Sequence, residues 1–403
     1  GARVTATRAV DPGTGCQTVM GGEALNTSLS ADAKSLRDAM APLIGVPGTW
    51  KVCVYDAADG GSTYANTIWW FSAKTDFPYL QNGDSNPFSN TEVGDLDECF
   101  IQVFDGWRKL SAANRRTLMG HEIYHCLHWE WQATNATGLV FKDPAPANHA
   151  WAEEGLATWA GNQLAPGTYQ PDTEGPGLYH ARWLTDMRRW FTYSYQTFGL
   201  FGVTEQHNGA AYQWGTIRSV WAAGENDPAV WDAVAGSSQP EILNDVGSGL
   251  LRLEGFPNGW FQSLPFRIGD AERQTPRTYL IPSPTAQEEV SDHNQGLYEI
   301  VSYERPLVHA SMSGFGQLTD GKDAWKHPAD MWFCYGGKCE CPSGQKQKQP
   351  IPSHLDVQDL YAGMGAGSGT STLTLEAHAM DEYCEPDETC RAALDAAAPP
   401  APP

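Results

Sequence analysis

Two histidines separated by three residues constrain the fold of this chain more than any other feature. They lie in the run 121–125, which reads HEIYH, and apolar residues recur around it at helical spacing. Residues four apart lie on one face of an α-helix, so a helix here brings both imidazoles to the same side. The pattern predicts a helix with its N-cap at Ser111, on which His121 and His125 can bind one metal ion.

Glu122 lies between the two histidines and points about 100° away from His121 around the helix axis. It is therefore not expected to be a third ligand in the same plane. We expect it to act as the general base that activates a zinc-bound water, because catalytic zinc has three protein ligands and one open position. The run 151–157, which reads WAEEGLA, supplies two acidic candidates for the third ligand, Glu153 and Glu154.

These two motifs resemble those of the gluzincin zinc metallopeptidases, specifically the M1-like branch, whose second zinc-site helix carries W-x-x-E-G-x-A. The resemblance covers about residues 95–225 and implies that Glu154, the glutamate before Gly155, is the third ligand of Zn2+. Glu153 is then expected to be a solvated neighbour, with a place beside the ligands or a substitute ligand as the alternative. The segment between His125 and Glu154 is longer than is usual in that branch.

A third match places Tyr212 three residues before Gly215 at the start of a helix, as in M1-like enzymes. The resemblance implies that Tyr212 donates a hydrogen bond to the oxyanion, and His207 is the alternative donor.

The sequence has no G-x-M-E-N motif, with which aminopeptidases of this branch bind a free amine, so an endopeptidase is favoured. His128 lies about 20° from the direction of His121 around the helix, so a metal site of histidines only is conceivable. Metzincins need glycine at that position and a later histidine, which this sequence does not have, so His128 is expected to lie beside the ligands or to pack.

The order of predicted elements indicates an α+β fold. Residues 1–106 are predicted to form a mixed lobe, with a helix from a cap at Ser30 to residue 44 and strands at 51–55, 67–72 and 99–104. Residues 107–264 are predicted to form a helical, zinc-binding lobe, with helices at 150–164, 178–195, 210–223 and 228–235. The resemblance implies that these two lobes form a thermolysin-like zincin catalytic core.

The remaining sequence changes to short strand-like pieces separated by Gly, Pro and Asp clusters. Residues 265–392 are predicted to form an accessory domain similar to a β-sandwich, with strands at 278–281, 297–303, 307–311, 331–335 and 371–377. The segment 393–403 ends in alanine and proline only, which is typical of an extended linker.

Nine cysteines are many for a cytosolic protein and predict disulfide bonds and a secreted, extracellular location. Because the number is odd, at least one thiol is unpaired within the chain. Cys126 points about 100° away from His125, so a disulfide to Cys99 is expected rather than metal binding. This bond would tie the strand at 99–104 to the zinc helix, and gluzincins place the edge strand that pairs with the substrate backbone at this point.

Charge and hydropathy restrict the partners of the protein. The chain has 48 acidic and 26 basic residues and a formal charge of −22, which repels nucleic acid and anionic membranes. No run of 18 apolar residues occurs, so no membrane span is predicted. We expect a protein or peptide substrate, and the 16 tryptophans also suit a glycosylated one.

Two hypotheses on function follow from these residues. The first is a secreted zinc-dependent endopeptidase that hydrolyses peptide bonds with a water activated by Glu122. The second is a secreted, non-catalytic protein in which the motif holds structural zinc and the tryptophans bind glycans or proteins. Structural zinc is usually enclosed by four protein ligands, commonly including cysteine, so a site with three ligands beside Glu122 favours catalysis.

Overall fold

A computed structural model describes two compact units of the chain. The first contains the described residues of 1–181 and 191–236, and the second contains Trp190 and the described residues from Ser237 onward. The described residues are 9–20, 23–57, 65–70, 98–135, 150–164, 190–192, 194, 197–224, 226–249, 278–280, 284–302, 305–319, 329–337, 339–341, 345–348, 354–358 and 360–385.

A five-stranded mixed sheet forms one part of the first unit. Its strands are β1 (Val19–Met20), β2 (Glu23–Leu25), β3 (Lys51–Asp56), β4 (Ala65–Trp70) and β5 (Glu98–Val103), in the order β1-β2-β3-β5-β4. Strands β3 and β5 pair in parallel, whereas β4 pairs with β5 antiparallel. The expectation that the strand before the zinc helix lies at the sheet edge is wrong, because β5 is interior, and β4 is the last of the described strands on that side.

Seven α-helices of the first unit are described. They are α1 (Thr27–Ile44), α2 (Asp105–Lys109), α3 (Ala112–Asn135), α4 (Ala150–Leu164), α5 (Phe198–Asn208), α6 (Ala210–Ala223) and α7 (Asp227–Ala235). The predicted helix at 178–195 lies mostly outside the described residues, and Trp190–Thr192 is a short 3-10 turn.

The N-termini of α1 and α3 test the two predicted caps. In α1 the cap is Asn26, whose side chain accepts a hydrogen bond from Leu29 N at 3.0 Å. The predicted cap at Ser30 is therefore wrong, because Ser30 is buried inside the first turn and its hydroxyl donates to Asn26 O. In α3 the predicted cap is confirmed, since Ser111 Oγ accepts from Asn114 N at 3.2 Å.

The second unit contains α8 (Gln239–Gly249) and two sheets. One sheet has the order β10-β13-β8-β6 and the other has the order β12-β11-β9-β14-β7. The strands are β6 (Thr278–Leu280), β7 (Thr285–Ser291), β8 (Asn294–Ile300), β9 (Leu307–Ser313), β10 (Phe315–Thr319), β11 (Asp330–Tyr335), β12 (His354–Val357), β13 (Leu360–Ala366) and β14 (Thr370–His378).

Buried side chains from both sheets form one core in this unit. They include Ile300 of β8, Phe333 of β11, Met364 of β13 and Leu373 of β14. Two sheets around a shared core form a sandwich-like arrangement. Helix α8, within the range predicted as the helical lobe, belongs to this unit and packs on β10 and β13. The fold is α+β, as predicted.

Four disulfide bonds cross-link the described cysteines. Cys16 is bonded to Cys53, and the predicted bond between Cys99 and Cys126 is confirmed. In the second unit the pairs are Cys334 with Cys339 and Cys341 with Cys384, while Cys390 lies outside the described residues. No helix in the part of the chain that the structure describes is both long and apolar enough to span a membrane.

Candidate metal centre

Glycines allow the two helices that carry the motif residues to pack closely. A Cβ atom on Gly120 of α3 would lie 2.8 Å from Cα of Gly161 in α4. A Cβ atom on Gly161 would collide with the carbonyl oxygen of Thr117 and lie 2.8 Å from the backbone nitrogen of His121. Only residues without a side chain permit this approach, which holds the ligand-bearing faces of α3 and α4 together.

The structure brings the three predicted ligand atoms together. His121 Nε2 lies 3.0 Å from Glu154 Oε2, His125 Nε2 lies 3.4 Å from the same oxygen, and the two Nε2 atoms are 3.1 Å apart. Ligands at 2.0–2.2 Å from a tetrahedral zinc ion are separated by roughly 3.3 Å. The observed distances are close to this value, so the group can hold a metal ion between its three atoms.

Hydrogen bonds on the far side of each imidazole turn the Nε2 atoms toward this group. Thr158 donates its hydroxyl proton to Glu154 O at 2.8 Å, so its oxygen accepts from His121 Nδ1 at 3.1 Å. Glu153 Oε1 accepts from His125 Nδ1 at 3.0 Å. With each Nδ1 protonated, the Nε2 lone pairs are available to a metal, and such outer partners are usual at metal-bound histidines.

Glu153 lies between two histidines and is mostly covered, so the expectation that it is a solvated neighbour is wrong. Its side chain is 12% exposed, and its Oε1 accepts from His128 Nδ1 at 2.6 Å as well as from His125. Burial alone would raise the pKa of Glu153, but the facing His128 and His125 hold it at about 2. The carboxylate is therefore charged, and it takes the place beside the ligands that the sequence left as the alternative.

The electrostatics of the centre favour a positive charge among its three atoms. Burial lowers the pKa of His125, but the charge of Glu154 and the bonds to both glutamates outweigh this and hold that pKa well above its usual value. Burial raises the pKa of Glu154, but His125 and His121 hold it far below its usual value. Oε2 of Glu154 is buried and faces the Nε2 atoms of both histidines. A proton or a metal ion at this point stabilises the buried carboxylate.

Comparison with known proteins does not identify this chain. No family model, curated protein or solved structure matches it. The resemblance to gluzincins thus depends on the motifs alone.

The other predicted site residues have different surroundings. Glu122 is buried on α3, with 7% of its surface exposed, directly after His121. Tyr212 of α6 is 40% exposed and donates its hydroxyl proton to Ala233 O at 3.2 Å. His207 lies in the last turn of α5. The catalytic roles of these three residues remain predictions.

A second group of potential ligands in the described residues does not form a metal site. Cys16, Cys53 and Glu98 lie close together, but both sulfurs are in one disulfide bond. Likewise, Cys126 is bonded to Cys99 and is not available to the metal centre, as the helix geometry predicts. Thr158 was not predicted from the sequence, although its position four residues after Glu154 places it on the same face of α4.

Proposed function

We propose that this protein is a secreted zinc-dependent endopeptidase. The observation that supports it best is the convergence of His121 Nε2, His125 Nε2 and Glu154 Oε2 within 3.0–3.4 Å of one another, on helices that also carry Glu122. Two histidines and one glutamate are the ligand set of zinc peptidases with an open coordination position. The proposal includes a gluzincin, thermolysin-like core around this centre.

The residues fit zinc better than calcium or magnesium. Imidazole nitrogen is a good donor for zinc, whereas the two hard cations favour oxygen ligands throughout. When bound, zinc polarises a carbonyl oxygen and makes water more acidic. Glu122 would accept a proton from the attacking water and transfer it to the leaving amine, so the same carboxylate acts first as base and then as acid. Tyr212, or His207 in its place, would donate a hydrogen bond to the oxygen that becomes negative.

An extended peptide is the substrate class that the first unit suits. Strand β4 pairs with β5 on one side and forms the end of the described sheet on the other. It also packs against α3, the helix with both histidines. An exposed sheet edge can pair with the backbone of an extended peptide and leave the peptide ends unbound, as endopeptidase cleavage requires. The substrate can be a plain or a glycosylated peptide.

Secretion is supported by the cysteines. All eight described cysteines are in disulfide bonds, and such bonds persist in oxidising compartments and are rare in the cytosol.

A peptide-library digest read by mass spectrometry tests the proposal, with the Glu122→Gln and Glu154→Ala variants beside the wild type. We expect internal cleavage by the wild type that a chelator abolishes. Glu122→Gln should retain zinc and lose at least about 10²-fold in turnover, the usual scale for a general base. Glu154→Ala should lose the zinc, as measured by metal analysis. A wild type that binds zinc tightly and cleaves no peptide would favour the non-catalytic binding protein instead.

A further inference from the structure

His128 lies next to the metal centre, and neither the ligand set nor the proposed chemistry uses it. It is on α3, three residues after His125, and its side chain is 12% exposed. Both histidines contact the same atom, Glu153 Oε1 of α4, at 3.0 Å and 2.6 Å. One carboxylate oxygen thus joins a predicted metal ligand to a histidine outside the ligand set.

The position of His128 is fixed on its other sides. Its Nε2 lies 2.9 Å from Gln132 Nε2, so Gln132 can donate to it, which leaves the proton of His128 on Nδ1. Its ring stacks on Trp221 of α6, with centroids 4.8 Å apart and planes 11° apart. Trp221 in turn donates its indole N–H to Tyr124 OH at 2.8 Å. Residues of α3 and α6 therefore hold the Nδ1–H of His128 against Glu153 of α4.

We propose that His128 is a positioning residue for the metal centre, because it holds Glu153 where that carboxylate orients the ring of His125 toward the metal. A carboxylate with only one donor could rotate about its side-chain bonds, whereas the second donor fixes Oε1 in place. Partners that orient a metal-bound histidine typically change metal affinity by about 10- to 100-fold when they are removed. This inference rests on the proposed metal centre, and it does not depend on peptidase activity.

Two substitutions separate positioning from packing. His128→Phe keeps an aromatic ring to stack on Trp221 and removes the donor to Glu153. His128→Asn removes the ring and retains an N–H donor that can occupy the position of Nδ1. If His128 only packs, His128→Asn should weaken zinc binding more than His128→Phe does. If His128 positions Glu153, His128→Phe should weaken zinc binding more.

The experiment measures the zinc dissociation constant of the full chain by competition with a chelator of known affinity. We expect about 10-fold or greater weakening in His128→Phe and a value within about threefold of the wild type in His128→Asn. The visible spectrum of the Co2+-loaded protein should change in the Phe variant alone. Thermal unfolding of the metal-free proteins controls for folding.

Three results would overturn the inference. They are wild-type zinc affinity in His128→Phe, equal weakening in both variants, or a greater loss in His128→Asn together with a lower unfolding temperature. A wild type that binds zinc and cleaves no peptide would remove the proposed activity and leave this inference standing. A wild type without zinc affinity would remove both.

Discussion

Cys99 in β5 is disulfide-bonded to Cys126 in α3, and Cys126 directly follows His125 of the candidate metal centre. Both cysteines are buried. The bond therefore attaches the ligand-bearing helix to an interior strand of the sheet, next to β4. It restricts sliding of α3 relative to the sheet and thus helps to fix the position of His125.

Replacement of both cysteines by alanine should lower the free energy of unfolding of the first unit by about 3 kcal/mol, because a closed loop of this length strongly restricts the unfolded chain. Zinc affinity should fall as well. Denaturant unfolding and chelator competition measure the two effects. The matched control is the Cys334–Cys339 pair of the second unit, whose removal opens a shorter loop and should leave zinc affinity unchanged. Equal zinc affinity in both double variants would contradict the positioning effect of Cys99.

The sequence predicted which side chains form the candidate metal centre, because helical periodicity alone places His121 and His125 on one face. The choice of Glu154 as the third ligand depended on the resemblance to the gluzincins. The sequence left the partners of these side chains open, because which side chains meet across α3 and α4 depends on the packing of the two helices. Glu153 and Glu154 show this, since they point about 100° apart on α4, and the close approach at Gly120 and Gly161 brings each within reach of a different histidine atom on α3.

The fold was predicted best in segments rich in apolar residues. Helices α4 and α6 have the predicted bounds, and β3 differs from its prediction by one residue. Strand β13 was missed because its sequence, LYAGMGA, is rich in glycine and resembles a loop. Gly365 is needed there because α8 packs on the strand, and a Cβ on Gly365 would lie 2.8 Å from Leu243 O. Strand β7 is an edge strand with mostly polar residues, which carry little strand signal.

Substitution of Gly161 by alanine should separate α3 from α4. The added methyl group would collide with the Thr117 carbonyl, and overpacking of this kind costs about 1–3 kcal/mol. Zinc affinity should fall with stability, because the ligands lie on both helices. Gly215→Ala in α6 is the matched control, since a Cβ there has no heavy atom within 4 Å, and alanine should stabilise that helix by about 0.5–1 kcal/mol. If calorimetry shows unchanged stability and chelator competition shows unchanged zinc affinity in Gly161→Ala, the proposed role of this packing is wrong.

The stability of the first unit should depend on pH through Glu98. This residue is fully buried in β5 and accepts a hydrogen bond from Tyr55 OH at 3.1 Å. Burial raises the pKa of Glu98 to about 7 in the folded chain from its usual 4.5. The folded state thus holds a proton that the unfolded state releases between these values. The resulting stability is fully present below about pH 4.5 and is lost as the pH rises to about 7, a change of about 3 kcal/mol.

Glu98→Gln tests this prediction, because the amide is neutral at every pH and its oxygen can still accept from Tyr55. Denaturant unfolding between pH 4.5 and 8 should show a smaller decrease with pH than in the wild type, and the variant should be the more stable protein at pH 8. Identical pH profiles for the two proteins would contradict the shifted pKa of Glu98.

Tyr212→Phe decides whether the tyrosine hydroxyl has a catalytic role or only a structural one. In the structure it donates to Ala233 O of α7, a hydrogen bond of the kind that contributes about 0.5–1.5 kcal/mol. For a role at the oxyanion, the hydroxyl has to leave Ala233 when substrate binds, and the exposed ring leaves it room to do so. We expect the variant to keep its zinc, to lose a small part of its stability, and to lose roughly 10²-fold in turnover, since the missing donor acts on charge that develops only in the transition state. Steady-state kinetics and denaturant unfolding of the same preparation separate the two roles. A variant that loses only stability would assign the hydroxyl to Ala233 and transfer the oxyanion role to His207, for which His207→Ala is the corresponding test.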